Sequence, residues 1–212
     1  MNTQEHLNQL TEIKSLMERS SRCLSLSGLS GVAAGSVAIL CGSYAWWYIG
    51  NGTFASPVTV TNHFLALPVN SQTFLHLLMV AAFTLVFAIG SAFFFTWQNS
   101  QKKGLKIWDA STKNFLINLF LPLIAGGLFS LALIYHGELY LLASATLVFY
   151  GLALLNASRY THKEIRYLGI SEIILGLVSM YFIGYGILFW LVGFGLLHIV
   201  YGLLMYAKHE KV

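Results

Sequence analysis

The sequence predicts an all-α integral membrane protein: a six-transmembrane helical bundle built of hairpins, with a cytoplasmic amphipathic helix ahead of it. Three observations lead there. Hydrophobic residues make up 57% of the 212-residue chain and charged residues only 9%, against about 25% charged in a typical soluble domain. Residues 23–101 contain no Asp, Glu, Lys or Arg, so that stretch is best solvated by lipid. The apolar segments recur at the length a bilayer demands, about 20 residues each. The mean hydropathy of +0.69 agrees.

The elements follow in order. Residues 1–22 form a polar, mixed-charge domain. Within it Leu7, Leu10, Ile13 and Met17 make one apolar stripe, while Glu5, Glu12, Lys14 and Glu18 lie elsewhere. That pattern reads as an amphipathic helix over 3–22, suited to the membrane surface or to a cytoplasmic protein partner. It lacks the short basic start and small-residue cleavage site of a signal peptide, so the first span is expected to be an uncleaved anchor. Residues 23–212 form the membrane domain, with spans at about 24–49, 73–97, 114–135, 139–157, 166–184 and 187–207.

Charge orients these spans. The twelve Lys and Arg fall in four places: Lys14, Arg19 and Arg22; Lys102, Lys103, Lys106 and Lys113; Arg159, Lys163 and Arg166; and Lys208 and Lys211. The three intervening connections carry none. By the positive-inside rule both ends of the chain lie in the cytoplasm. Trp46, Trp47 and Tyr48 then mark the outer interface, and Trp97, Tyr160, Tyr167 and Tyr206 the inner one. Thr161 and Glu164 read as a capping box opening the fifth span. The connection over residues 50–72, with Pro57 and Pro68 and an Asn51-Gly-Thr53 sequon, is the one long outer loop. The short turns around Gly137 and Tyr185 imply tight antiparallel pairing of spans three with four and five with six.

Those two hairpins show an internal repeat. Gly127-Leu-Phe-Ser130 matches Gly176-Leu-Val-Ser179, Gly137 matches Gly186, and Tyr150-Gly-Leu152 matches Tyr201-Gly-Leu203. Small residues mark the faces on which membrane helices approach closely: Ser27, Gly31, Gly35, Ala38 and Gly42 in the first span, Gly169, Gly176 and Ser179 in the fifth, Gly195 and Gly202 in the sixth. Close intramolecular packing is expected there, with homo-oligomerisation as the alternative. Cys23 and Cys41, on one helix, are about 27 Å apart, too far for a disulfide.

One ionisable pair stands out. Glu172 is the only acid within a span, and it shares a face with Gly169, Gly176 and Ser179. His198 sits between Gly195 and Gly202. Both lie thirteen positions from Tyr185, so an antiparallel hairpin brings them to one depth and into hydrogen-bonding range. Charge at mid-membrane costs at least ~2.5 kcal/mol on insertion scales and by default marks a functional residue. Glu172 and His198 are therefore the candidate ligand or proton site, with a structural clasp between helices as the bland reading. On the outer side His63, His76, His136 and Glu138 have the chemistry of zinc ligands, but their spacing fits no metal motif; scattered interfacial residues explain them as well. Asn114 and Asn118 either line an inner entrance or bond a neighbouring helix.

The run Met17-Glu-Arg-Ser-Ser-Arg-Cys-Leu-Ser-Leu-Ser-Gly-Leu-Ser-Gly31 resembles a segment of an uncharacterised family of small six-span bacterial inner-membrane proteins. The resemblance implies a cell inner-membrane location and transfers no catalytic or binding residue. The chain has no Walker loop, H-E-x-x-H, G-x-S-x-G or C-x-x-C motif, and no basic–aromatic cluster suited to nucleic acid. It names no cofactor. Three functions compete on these residues: a small-ligand, lipid or proton binding and transport module at Glu172–His198; a signalling or scaffold protein docking a partner through residues 3–22; and a metalloenzyme using the outer histidines.

Overall fold

The computed structural model describes residues 26–51, 71–104 and 108–211. The amphipathic helix expected over 3–22, Cys23, the interior of the outer loop and His63 lie outside them. The described residues are helical throughout, joined by short turns. Helix α1 (Gly28–Asn51) is followed by α2 (Ser71–Lys103) and α3 (Ala110–Tyr135). A 3-10 turn (Leu139–Leu141) leads into α4 (Leu142–Ala157), and another (Ser158–Tyr160) leads to α5 (Lys163–Ser179). After Ile183–Tyr185 the last helix runs in three consecutive pieces: α6 (Gly186–Trp190), a π-helical segment (Leu191–Leu197) and α7 (His198–His209).

Five segments are long and apolar enough to cross a bilayer: Gly28–Ile49, Leu75–Lys103, Ala110–Tyr135, Leu139–Tyr160 and Ile183–His209. The partition of side chains agrees. Leu85, Val86 and Phe93 on α2 and Leu121 and Leu128 on α3 are all more than 60% exposed, whereas the fully buried residues include Ser27, Ser100, Ser144, Thr161, Glu172 and Ser179. Most large apolar groups face outward, and the buried set mixes small and polar groups with a few large ones such as Leu147 and Met205. This is the arrangement of a multi-pass membrane protein, in which lipid supplies no drive to bury leucine and interfaces go to small residues. Helix α5, at 17 residues, is shorter than any of these five segments.

Packing is governed by two backbone crossings. At the first, the small-residue face of α1 lies against the last helix. A methyl group on Gly35 would stand 2.7 Å from the Gly195 carbonyl oxygen, and one on Gly202 would stand 2.7 Å from that of Gly28. At the second, α4 crosses α5 at Gly151 and Gly169, where an added methyl would meet the facing carbonyl at 2.6 or 2.8 Å. The stripes expected to pack within the chain do so. The pairing differs from the expected hairpins in one respect. The last helix packs most extensively on α1, and α5 packs most extensively on α4; α5 and the last helix meet over a narrower face. Backbone proximity at glycine decides this, and turn length does not.

Local details adjust other expectations. Helix α3 opens with Asp109, whose carboxylate accepts the Thr112 N–H at 2.7 Å. Helix α5 begins at Lys163 with His162 at the N-cap, in place of Thr161, and the Glu164 carboxylate binds Lys208 and His209. The Asn156 amide donates to the Asn118 carbonyl at 2.9 Å, so the Asn118 turn serves helix bonding between α3 and α4. Gly176 packs on Val148, whereas its repeat mate Gly127 has open space around it; the matched positions do different packing work. The first helix is capped from afar: the Glu210 carboxylate accepts from the Ser27 hydroxyl at 2.9 Å and from the Gly28 N–H.

The crossing of α1 with the last helix yields a graded expectation. Gly202→Ala must push α1 away and costs about 1–3 kcal/mol. Gly90→Ala, with nothing within 4 Å of the new methyl, leaves stability unchanged or slightly raised. Denaturant unfolding in mixed micelles, followed by tryptophan fluorescence, measures both.

Candidate functional site

Glu172 and His198 meet as the depth argument requires, with Oε1 and Nδ1 3.5 Å apart. The contact is not the expected hydrogen bond. His198 Nδ1 lies 3.0 Å from the Gly193 carbonyl oxygen, and Nε2 lies 2.8 Å from the Tyr150 hydroxyl. A carbonyl only accepts, so Nδ1 carries a proton and donates it to Gly193. In the neutral imidazole Nε2 then accepts from Tyr150. Both nitrogens are taken before Glu172 is served. Glu172 is 0% exposed, and neither of its oxygens has a hydrogen-bond partner.

Three helices build this arrangement. Helix α5 supplies Glu172, α4 supplies Tyr150, and the last helix supplies His198 just where its π-helical segment ends. π-Helical turns carry a wider backbone ring, are rare and gather at functional sites. Gly193 lies inside the segment, and a methyl there would stand 2.5 Å from Glu172 Oε2. The carboxyl therefore occupies the space of a missing side chain. Leu147 and Leu175 close around it. Phe194 stacks on the His198 ring at 5.9 Å and meets the Tyr150 ring at a tilt of 46° and 4.9 Å, and Trp190 packs against Phe194 at 4.9 Å. An aromatic wall thus holds the imidazole on one side, with the carboxyl on the other.

Further polar pairs flank the site along α5. Ser171 and Tyr201 hydroxyls lie 3.4 Å apart, and Ser144 and Ser179 hydroxyls 2.6 Å apart. Ser179 also donates to the Gly176 carbonyl at 2.7 Å. In the first turn of α5, ahead of the apolar part of the helix, Glu164 accepts from Lys208 Nζ at 2.7 Å, with His209 Nε2 at 3.4 Å from its other oxygen. Partial burial alone would raise the Glu164 carboxyl; hydrogen bonds from Lys208 and His209 overcome it and hold the group at about 2. A depressed carboxyl contributes stability above its ordinary value of 4.5, and that contribution is lost as pH falls from there towards 2.

Among the described residues, the outer candidates His76, His136 and Glu138 form no three-donor group. His76 accepts or donates at 3.0 Å with the Tyr44 hydroxyl and packs on the Tyr48 ring at 4.4 Å. His136 terminates α3, and Glu138 precedes the Leu139–Leu141 turn. Among the described residues, the three-donor group within metal-ligand reach lies elsewhere, at His162, Glu164 and His209. Sequence reasoning missed Tyr150, Gly193 and that trio. Tyr150 is apolar in its helical context, and the role of Gly193 shows only once Glu172 is set against it.

Comparison with protein-family models, with curated proteins and with solved structures gives no match.

A buried acceptor left without a donor costs about 1–3 kcal/mol, so Glu172 is poorly suited to act as a clasp. Glu172→Met is accordingly expected to stabilise the bundle, by roughly 1 kcal/mol or more. A clear loss of stability in micelle denaturation would restore the clasp reading.

Proposed function

We propose that this chain is a six-span bacterial inner-membrane protein, with both ends in the cytoplasm, that binds or transports a small ligand, lipid or proton at Glu172 and His198. The twelve basic residues at four of its connections and termini support the orientation. Helix α5, which packs on α4 and the last helix, is the fifth of the six spans in this reading. The resemblance of residues 17–31 supports the inner membrane.

One observation carries the function: a fully buried carboxyl, with no hydrogen-bond donor, beside an imidazole already ordered by Tyr150 and Gly193. An uncompensated carboxylate in such a place costs several kcal/mol, which a proton, a small cation or the polar head of a ligand offsets. Proteins retain such costly groups where activity requires them. The π-helical segment supplies the local give that access requires. His198 and Tyr150 form a hydrogen-bonded pair next to the carboxyl, and a proton passes between them and Glu172 only when Nδ1 exchanges the Gly193 carbonyl for the carboxyl.

Native mass spectrometry of gently solubilised protein, paired with proton flux in reconstituted vesicles, provides the test. The wild type is expected to retain a ligand or to pass protons, and Glu172→Gln to lose either at least tenfold. Binding and flux that are the same in both forms would sink the proposal.

A further inference from the structure

We propose that His162, Glu164 and His209 form a divalent transition-metal site, zinc by preference, at the end of the bundle that carries Lys208. The donor atoms of all three lie within 4.8 Å of one another. Two come from the start of α5, His162 at its N-cap and Glu164 in its first turn, and the third, His209, from the last turn of α7.

The geometry suits a tetrahedral ion. With metal–ligand bonds near 2.0–2.1 Å, neighbouring tetrahedral donors stand roughly 3.4 Å apart. His209 Nε2 and Glu164 Oε2 are already 3.4 Å apart. The widest pair therefore needs roughly 1.4 Å of closure at most, within reach of side-chain rotation. The two imidazole rings face each other, tilted by 31° with centroids 4.1 Å apart.

The electrostatics agree. Lys208 holds Oε1 of Glu164 at 2.7 Å, which orients the carboxylate and leaves Oε2 towards His209. Hydrogen-bonded outer partners of this kind commonly fix metal-binding carboxylates. The carbonyl end of α7 favours a cation, while the N-terminus of α5 opposes it, so the Glu164 carboxylate supplies the net attraction. Two imidazoles and one carboxylate leave a fourth position for water or an exogenous ligand, a donor set that favours zinc, cobalt or nickel over magnesium or calcium. A bound ion would tie α5 to α7, the helices that carry Glu172 and His198, roughly 12 Å along α5 from the buried carboxyl.

The test uses the full chain in detergent, stripped with chelator and titrated with Co²⁺. One ion per chain with the intense visible bands of tetrahedral cobalt is expected, displaced by Zn²⁺. His162→Gln and His209→Gln should each weaken binding at least tenfold. Glu172→Gln should bind as the wild type does, which separates this site from the one in the membrane. X-ray absorption of the zinc-loaded wild type should count two imidazoles, and this result does not depend on any variant folding. No stoichiometric binding, fewer than two imidazoles, or binding indifferent to both histidine variants would overturn the proposal and leave an ion-pair cluster only.

Discussion

The contact of bare backbone on bare backbone between α1 and the last helix governs the rest of the molecule. Lipid gives two apolar helices no reason to associate, so contact must come from close approach and from polar groups. Gly28, Gly31 and Gly35 meet Gly195, Gly202 and the His198 carbonyl along one line. This contact fixes the rotation of the last helix about its axis. Its other side, bearing Gly193 and the His198 ring, is thereby turned onto α4 and α5. The second crossing, Gly151 on Gly169, brings α4 and α5 together behind it. Glu172 and Tyr150 reach the imidazole because both crossings are tight.

The interior so formed is polar in a particular way. Most buried hydroxyls satisfy themselves locally: Ser144 with Ser179, Ser179 with Gly176, Tyr150 with His198. Such bonds cost little, since each donor finds an acceptor within a turn or across one interface. Glu172 departs from the pattern. It lies among groups already partnered, in a space that Gly193 leaves open. Polar packing explains every neighbour of the site better than it explains the carboxyl itself.

Much of this was legible in the residues. Bilayer length and charge placement located the helices to within a few positions: the span expected at 114–135 is Ala110–Tyr135, and that at 187–207 lies within Gly186–His209. Counting thirteen positions from Tyr185 in both directions found the Glu172–His198 contact, because depth in an antiparallel pair is arithmetic. What resisted was whatever depends on a third element. Tyr150 enters the site from α4, and no count along the last hairpin reveals it. A π-helical segment has no signature in hydrophobic spacing. Glu164 seemed committed to its own helix start until Lys208 and His209 arrived from α7. The long-range preference of the last helix for α1 was hidden too, since short turns advertise sequence neighbours and glycine faces do not name their partners.

The cap on α1 bears on how such a protein is made. Gly28 and the Glu210 carboxylate that receives its N–H are 182 residues apart, and the glycine face beside that cap is covered by a helix synthesised equally late. Segments become available for packing in the order of translation. The notched face of α1 therefore stays open, and its leading amides uncapped, until the last helix has been made. Synthesis of α1 and its packing are thus separate events, and the interval between them is when α1 is most open to a chaperone, a protease or an improper neighbour.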